Sequence, residues 1–322
     1  MEIQISNTSK NNHFLYYING FFNLLTPSFV LRIKEKKLQK YYESLTKNEK
    51  QYILDRVDYY CKKQGPFSFP KNSPTLAQHT YRKKTFPSVY FFDTQEYTRY
   101  FPKTLKWHLQ GGDVTQLFDY PTIVKSRPIG ENNSNSVLMK LNKVRHFFFV
   151  KDSIPFEQKQ HKIIFRGAII NKSNRKNFIK LYGNHPLCDA KDTSKNSSLP
   201  ENLRTTQIMS ISDHFKFRYI MCLEGNDVAS NLKWVMSSNS LAVMPKPKYE
   251  TWYMEGRLIP NYHYIEIKED YSDLIDKINY YSTHQEEAQA IIQHANEYTL
   301  QFKNKKREDL ISYLVLKKYF GT

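Results

Sequence analysis

The sequence predicts an α/β protein built on a parallel sheet covered by helices, and three observations carry that expectation. A chain of 322 residues suits two domains or one large α/β body rather than a single small core. Its composition, 40% hydrophobic and 15% aromatic, supplies a packed interior beneath a strongly polar surface. Its second half alternates short apolar runs of strand length with segments of helical period. Ligands of such sheets bind at the carboxyl ends of the strands, so a site is expected in the loops after Phe165 and Leu223.

Residues 13–40 read HFLYYINGFFNLLTPSFVLRIKEKKLQK, aromatic and aliphatic text interrupted by Gly20 and Pro27 and ending in lysines. A segment of this kind suits a bilayer interface, with rings at headgroup depth and lysines on anionic lipid. A helix packed on its own domain fits the same text equally well. Thr46-Lys47-Asn48-Glu49 is a capping-box pattern and predicts a helix over 47–63 that Gly65-Pro66 ends. SVYFF from Ser88 predicts a short strand, with Asp93-Thr94-Gln95-Glu96 capping a helix after it. Gly111-Gly112 predicts a turn into Asp113, followed by a strand over 122–125 and a basic stretch over 140–146 that runs into FFFV.

In the second half, strands are expected over 162–165, 217–223, 240–244 and 262–267. Helices are expected over 173–182, 228–238, 272–282, 284–302 and 305–319, and 191–201 reads as a polar, mobile loop.

Against 31 Asp+Glu stand 48 Lys+Arg, a net charge of +17, which draws anionic partners: nucleic acid, phosphorylated substrates or anionic membrane. Cys61, Cys188 and Cys222 are scattered, odd in number and outside any CxxC spacing. That argues against a disulfide framework and a zinc site and for a reducing compartment. No apolar run reaches the roughly 18–20 residues of a spanning helix, and the start lacks the pattern of a signal peptide. The expected location is the cytoplasm.

Two stretches carry candidate chemistry. In Phe165-Arg166-Gly167-Ala168, Arg166 is a permanent cation at a strand's carboxyl end, suited to two phosphate oxygens, and Gly167 would let the backbone approach them. A plain surface arginine is the alternative. In the run from Leu223 through Glu224, Gly225, Asn226, Asp227, Val228, Ala229, Ser230, Asn231 and Leu232 to Lys233, a strand ends in a glycine turn and a helix begins on small polar residues. Such a helix start offers unpaired N–H groups to a diphosphate, with Lys233 adding a point charge. Asp227 as a simple cap and Lys233 in solvent is the alternative. There is no GxGxxG and no GKS or GKT, which disfavours the dinucleotide fold and the P-loop.

Over 89–302 the chain resembles glycosyltransferase family 90, which includes protein O-glucosyltransferases, fungal capsule xylosyltransferases and bacterial lipopolysaccharide-type enzymes. The resemblance is carried by Phe165-Arg166-Gly167-Ala168, Phe217-Arg218-Tyr219 leading into Glu224-Gly225-Asn226 and Ala229-Ser230, Ser240-Leu241-Ala242-Val243, Glu250-Thr251-Trp252-Tyr253, and Pro260-Asn261-Tyr262-His263-Tyr264-Ile265. It implies a GT-B-like fold, two Rossmann-like domains facing across a cleft. On this chain those would be an acceptor domain over 1–155, a nucleotide-sugar domain over 156–303, and a helix over 304–322 returning to the first.

The resemblance further implies an inverting transfer of a glucose- or xylose-type sugar from a UDP-sugar to a surface-glycan or lipopolysaccharide-core hydroxyl. Asp113, ahead of Tyr120-Pro121-Thr122-Ile123-Val124-Lys125-Ser126-Arg127, matches the position of the family's general base; a turn aspartate after Gly111-Gly112 is the alternative. Arg166, Gly167, Ala168, Glu224, Gly225, Asn226, Ser230, Asn231 and Lys233 would hold the diphosphate, and Glu250 the ribose, with a helix-capping acid as the alternative for Glu250. Where many eukaryotic members carry arginine shortly after Ala-Ser, this chain has Asn231. Lys125, Arg127, Lys140, Lys143, Arg145 and His146 would face an anionic glycan or glycolipid; a solvated basic face is the alternative for each. The expected enzyme uses no cofactor and no metal, has no nucleic-acid partner, and works in the cytoplasm, with peripheral contact on the inner membrane face left open. The rival readings are a basic nucleic-acid-binding protein and a membrane-surface adaptor without catalysis.

Overall fold

The computed structural model describes residues 13–62, 64–65, 67–81 and 88–322. Lys63 and Pro66, at the expected helix end, and residues 1–12 of the expected leaderless start lie outside them. The described residues form two compact units. The first comprises 13–145, Tyr249–Glu255 and Phe302–Thr322, and the second His146–Lys248 and Gly256–Gln301. The division between them thus falls at 145/146 rather than 155/156, and one short segment of the second half belongs to the first unit.

The first unit opens with α1 (His13–Leu24) and α2 (Ser28–Glu43), which meet at 108°. Pro27 is the extended N-cap of α2 and cannot continue the preceding helix. Helix α3 (Lys47–Tyr60) starts on the expected capping box: the Thr46 hydroxyl accepts from Glu49 N–H and the Glu49 carboxylate from Thr46 N–H. Ser88–Thr98 is a helix, α4, rather than a strand followed by a capped helix. It is buried nearly all round, including Tyr90, Phe91, Asp93, Thr94 and Tyr97, and a short apolar run does not reveal by period whether it is strand or core helix.

Strands β1 (Leu109–Gln110), β2 (Thr122–Val124), β3 (Ser126–Pro128) and β4 (Ser136–Leu138) follow, then the single-turn α5 (Lys143–His146). Strands β1, β2 and β4 form a parallel three-stranded sheet in the order β1-β2-β4.

The second unit contains β5 (Gln160–Gly167), α6 (Ser173–Tyr182), β6 (Cys188–Asp192), α7 (Ile211–His214), β7 (Phe217–Met221), α8 (Leu232–Val235) and β8 (Leu241–Met244). The chain then leaves it for β9 (Tyr249–Thr251), which pairs antiparallel with β3 in the first unit, and returns for β10 (Ile265–Glu266), α9 (Leu274–Thr283) and α10 (Gln285–Leu300). The last helix, α11 (Lys305–Phe320), belongs to the first unit and packs on α3, α4 and α2.

The five-stranded sheet of the second unit is wholly parallel in the order β10-β8-β7-β5-β6. Its strands carry the core: Ile163, Phe165, Ala190, Tyr219, Met221, Leu241, Val243 and Ile265 are buried against Phe178 and Ile179 of α6 and Ile278 of α9. The expected strands and helices of this half are present, with three corrections. The strand expected over 262–267 is only Ile265–Glu266, after a turn over 261–263. The stretch read as a helix over 228–238 is helical only over Leu232–Val235, because the Ser237 and Ser238 hydroxyls bond back to Trp234 and Val235 carbonyls and close it. The loop expected over 191–201 begins inside a strand, since Lys191 and Asp192 end β6.

Candidate active site

In the second unit the strand order reverses about β5: β6 lies on one side of it and β7 on the other. The crevice outside the carboxyl ends of β5 and β7 is the place where doubly wound sheets take ligands. Here it is organised by Arg175, from the first turn of α6. Its guanidinium donates to the carbonyls of Glu224 (Nε, 3.0 Å), Leu223 (Nη2, 2.9 Å) and Ala168 (Nη1, 3.3 Å), tying the ends of both strands to the helix. Asn174 Nδ2 adds a 3.1 Å bond to the Glu224 carbonyl. Gly225 sits against this cation: a Cβ there would meet Arg175 Nη2 at 3.1 Å and Lys172 Cε at 3.6 Å. Alongside, an open cavity of about 450 Å³ is lined by Ile169, Ile170, Asn171, Lys172, Ser173, Lys176, Asn196 and Ser198. It lies over the start of α6, where no side chain caps the helix, so lysines and a positive helix end share one concavity.

Ala168, Glu224 and Gly225, expected at the donor, therefore do come together, around an arginine the sequence did not single out. Asn226 is exposed beside them and Ser230 is half-buried. Four expectations change. Arg166 turns away to the neighbouring strand, where Nη2 meets both Asp189 carboxylate oxygens at 2.8 Å and Nη1 donates to the Asp189 and Phe165 carbonyls. Gly167 does not open a path to a ligand: a Cβ there would lie 2.7 Å from the Phe165 ring, so the missing side chain makes room for that ring. Lys233, expected to add a point charge at the diphosphate with a solvated lysine as the alternative, is fully buried, its ammonium 5.3 Å from the centre of the Phe147 ring. Asn231 spends its amide on the Met221 carbonyl at 3.0 Å, pinning the turn to the end of β7.

Glu250 is also reassigned. It lies on β9 in the first unit, 2% exposed, and its Oε1 accepts from Arg127 Nε at 2.7 Å while Tyr59 donates to Oε2. A carboxylate enclosed in this way closes the β3–β9 pairing instead of reaching a ribose. Next to it, Arg56 and the Trp252 indole N–H share Glu308 at 2.5 and 2.6 Å, and Tyr60 stacks on Trp252 at 3.9 Å.

The basic residues expected at an acceptor divide likewise. Arg127 is completely buried, donating also to the carbonyls of Tyr59, Tyr60 and Ser136. Lys143 pairs with Glu96 and, at 3.5 Å, with Asp93. Lys140 lies 3.7 Å from Glu308. His146 is 3% exposed and belongs to the second unit. Arg145 alone of the set is exposed.

Asp113 occupies a different setting. Strand β1 ends at Gln110, and Gly112 (φ 96°) turns the chain in the left-handed region that only glycine adopts without strain. Asp113 follows at the carboxyl end of the parallel sheet with its side chain 28% exposed. Lys125, one residue past β2 and 1% exposed, donates to Asp113 Oδ1. The Ser126 hydroxyl braces the same turn, accepting from Val114 N–H at 3.1 Å. A carboxylate held at one oxygen by a buried ammonium and open to solvent is fixed in direction and able to accept a proton. Lys125 is therefore the partner of Asp113 rather than a contact for an acceptor's phosphate. Among the described residues no group of three or more His, Cys, Asp or Glu side chains is placed to hold a metal ion.

Residues 137–319 match the glycosyl transferase family 90 domain. The chain belongs to glycosyltransferase family 90 and is a glycosyltransferase. It is 39% identical over 306 residues, 95% of this chain and 94% of the relative, to a protein of Dichelobacter nodosus named O-glucosyltransferase LpsA. A shorter likeness, 30% over 120 residues, relates 37% of the chain to 23% of a rat protein named protein O-glucosyltransferase 3. Another, 34% over 86 residues, relates 26% of it to 16% of a zebrafish protein named protein O-glucosyltransferase 2. These relationships displace the non-catalytic readings of a nucleic-acid binder or membrane adaptor.

Proposed function

We propose that the protein moves a glucose- or xylose-type sugar from a UDP-sugar to a hydroxyl of a lipopolysaccharide-core or related surface glycan, with inversion at the anomeric carbon. The observation that carries this reading is the likeness to O-glucosyltransferase LpsA across nearly the whole of both chains. The donor would lie at the carboxyl-end crevice of the second unit, its diphosphate facing Lys172, Lys176, the start of α6 and the Gly225 turn. Positive groups there would stabilise the charge that grows on UDP as it leaves.

In the first unit Asp113 would accept the proton of the acceptor hydroxyl as that oxygen bonds to the anomeric carbon from the face opposite the diphosphate. The bond to the diphosphate oxygen breaks and UDP departs. The reading includes a GT-B arrangement of the two units and a transfer that needs no metal. It also places the enzyme in the cytoplasm, which suits three buried, unpaired cysteines. Burial pushes the Cys61 and Cys188 thiols up to about 12, away from the thiolate that oxidation requires.

Calorimetric titration with UDP, paired with UDP-sugar turnover on glycolipid extracts, tests the assignment. Wild type binds UDP and turns over equally with and without EDTA, whereas Asp113→Asn binds UDP and does not turn over. Absence of UDP binding in the wild type refutes the donor assignment, and full turnover by Asp113→Asn refutes the base.

A further inference from the structure

Helix α1 is apolar on both sides. Its inner side docks on α4: Tyr16 donates to Asp93 Oδ1 at 2.7 Å, Tyr17 bonds the Ser88 hydroxyl at 3.0 Å, and Gly20 fits against Phe92, whose ring would lie 2.6 Å from an added Cβ. Asn23 on the same side is held by Arg99. Residues at 16, 20 and 23 follow helical spacing, so 14, 18 and 22 fall on the opposite side, and Leu25 follows in the turn just past the helix, its N–H on the Phe22 carbonyl at 3.2 Å. That side is where a water-facing helix carries polar groups; here Phe14 is 71% exposed, Phe22 69% and Leu25 78%.

Helix α2 has the same construction. Glu35 accepts from Tyr313 of α11 at 2.6 Å, and Leu31, Leu38 and Tyr42 share its packed side. The opposite side presents exposed Phe29 and Ile33 near the 108° elbow, then Lys36, Lys37 and Lys40 further along. The exposed surface of the pair is thus an apolar elbow followed by a band of ammonium groups. Among the described residues no single helix is long and apolar enough to cross a membrane.

We propose that the α1–α2 elbow is a monotopic docking surface for an anionic lipid bilayer. Phe14, Phe22, Leu25 and Phe29 enter the interfacial layer, and Lys36, Lys37 and Lys40 lie on acidic headgroups. The charge of the band selects this occupant. A protein partner or second copy would need only the apolar residues, whereas an acidic lipid surface matches both the elbow and the lysines beside it. Because each helix is held to the body along its other side, the surface is presented ready-formed. This inference stands apart from the donor and base assignments, since vesicle binding is read without nucleotide or turnover.

The test is flotation of the full-length protein with vesicles of phosphatidylethanolamine and phosphatidylglycerol, compared with vesicles of phosphatidylcholine. Wild type floats with the acidic vesicles at low salt. The double variant Phe22→Glu, Leu25→Glu loses on the order of a hundredfold in partitioning, and Lys36→Glu, Lys40→Glu loses about tenfold or more on acidic vesicles alone. All four side chains are exposed, so circular dichroism and melting of both variants match the wild type. A Phe22→Trp variant, whose emission shifts to the blue on acidic vesicles, gives an independent reading should a double variant not fold. The proposal is overturned by failure of the wild type to float with acidic vesicles, or by flotation that both double variants retain. It is also overturned by a lipid-free dimer that Phe22→Glu, Leu25→Glu dissolves, which would assign the elbow to a second copy.

Discussion

Glu250→Gln separates a structural from a substrate-binding role for a residue whose sequence context pointed to the donor. In the wild type the Arg127 guanidinium, wholly buried, has one carboxylate partner at 2.7 Å and three carbonyl acceptors, on Tyr59, Tyr60 and Ser136, at 2.7, 3.3 and 2.9 Å. The amide keeps the shape of the carboxylate but removes its charge, leaving a buried cation neutralised by dipoles alone. Breaking a buried pair from one side costs about 3–5 kcal/mol, and the retained carbonyls put this case near the lower end, about 3 kcal/mol. With about 2–4 °C lost per kcal/mol in a body of about 150–250 residues, melting of the first unit falls by about 6–12 °C. Differential scanning calorimetry with and without UDP reads both quantities. The expected result is a lowered transition with UDP affinity unchanged at a temperature where the variant is folded. A variant that melts within about 1 °C of wild type and binds UDP more weakly refutes the reasoning and returns Glu250 to the donor.

Arg175→Ala removes the tie between β5, β7 and α6, and UDP affinity should fall at least tenfold in calorimetry. Arg166→Ala, which breaks the surface pair with Asp189, should lower melting by a few degrees and leave UDP affinity within about threefold. Lys125→Met frees Asp113 to turn away, so turnover drops on the order of tenfold to a hundredfold while the UDP dissociation constant stays constant; an unaltered turnover number removes Lys125 from the site. His263 is held near pKa 4 by burial, with His294 opposing its charge, and its Nδ1 accepts from Ile259 N–H at 2.9 Å. Its folded value lies below that of the unfolded chain, so the contribution is fully present above about pH 6.5 and is lost as pH falls towards 4. Melting of the second unit should therefore decline across that window and decline less in His263→Gln; identical slopes count against it.

The frame of the second unit was legible because β5, β7 and β8 are apolar runs of strand length between segments of helical period. Strand β6 was not, since Cys-Asp-Ala-Lys-Asp offers only small or polar inward residues, Cys188, Ala190 and Asp192. That one omission explains the misreading of Arg166, whose partner Asp189 stands on the unseen strand. Arg175 was hidden for a related reason. In the text it is one cation among Lys172, Arg175 and Lys176, and only the placement of β7 beside β5 turns it into the clasp of a crevice. Asp113 was singled out by the family resemblance, from its place ahead of the basic strand end; what the residues themselves made legible was the Gly-Gly turn, which the structure keeps at Gly112. Arg127 and Glu250, 123 residues apart in sequence, carry no local mark of each other.

The excursion of the chain through β9 gives the molecule an interlaced covalent plan. Among the described residues four polypeptide crossings, at 145/146, 248/249, 255/256 and 301/302, join the two units, so no single cut yields either one whole. A fragment ending at 145 lacks the partner of β3, the indole stacked on Tyr60, and the helix whose Glu308 neutralises Arg56. The first unit cannot be exchanged by joining two gene segments at one point. Exchanging that unit means replacing three separate stretches, 13–145, 249–255 and 302–322, at once.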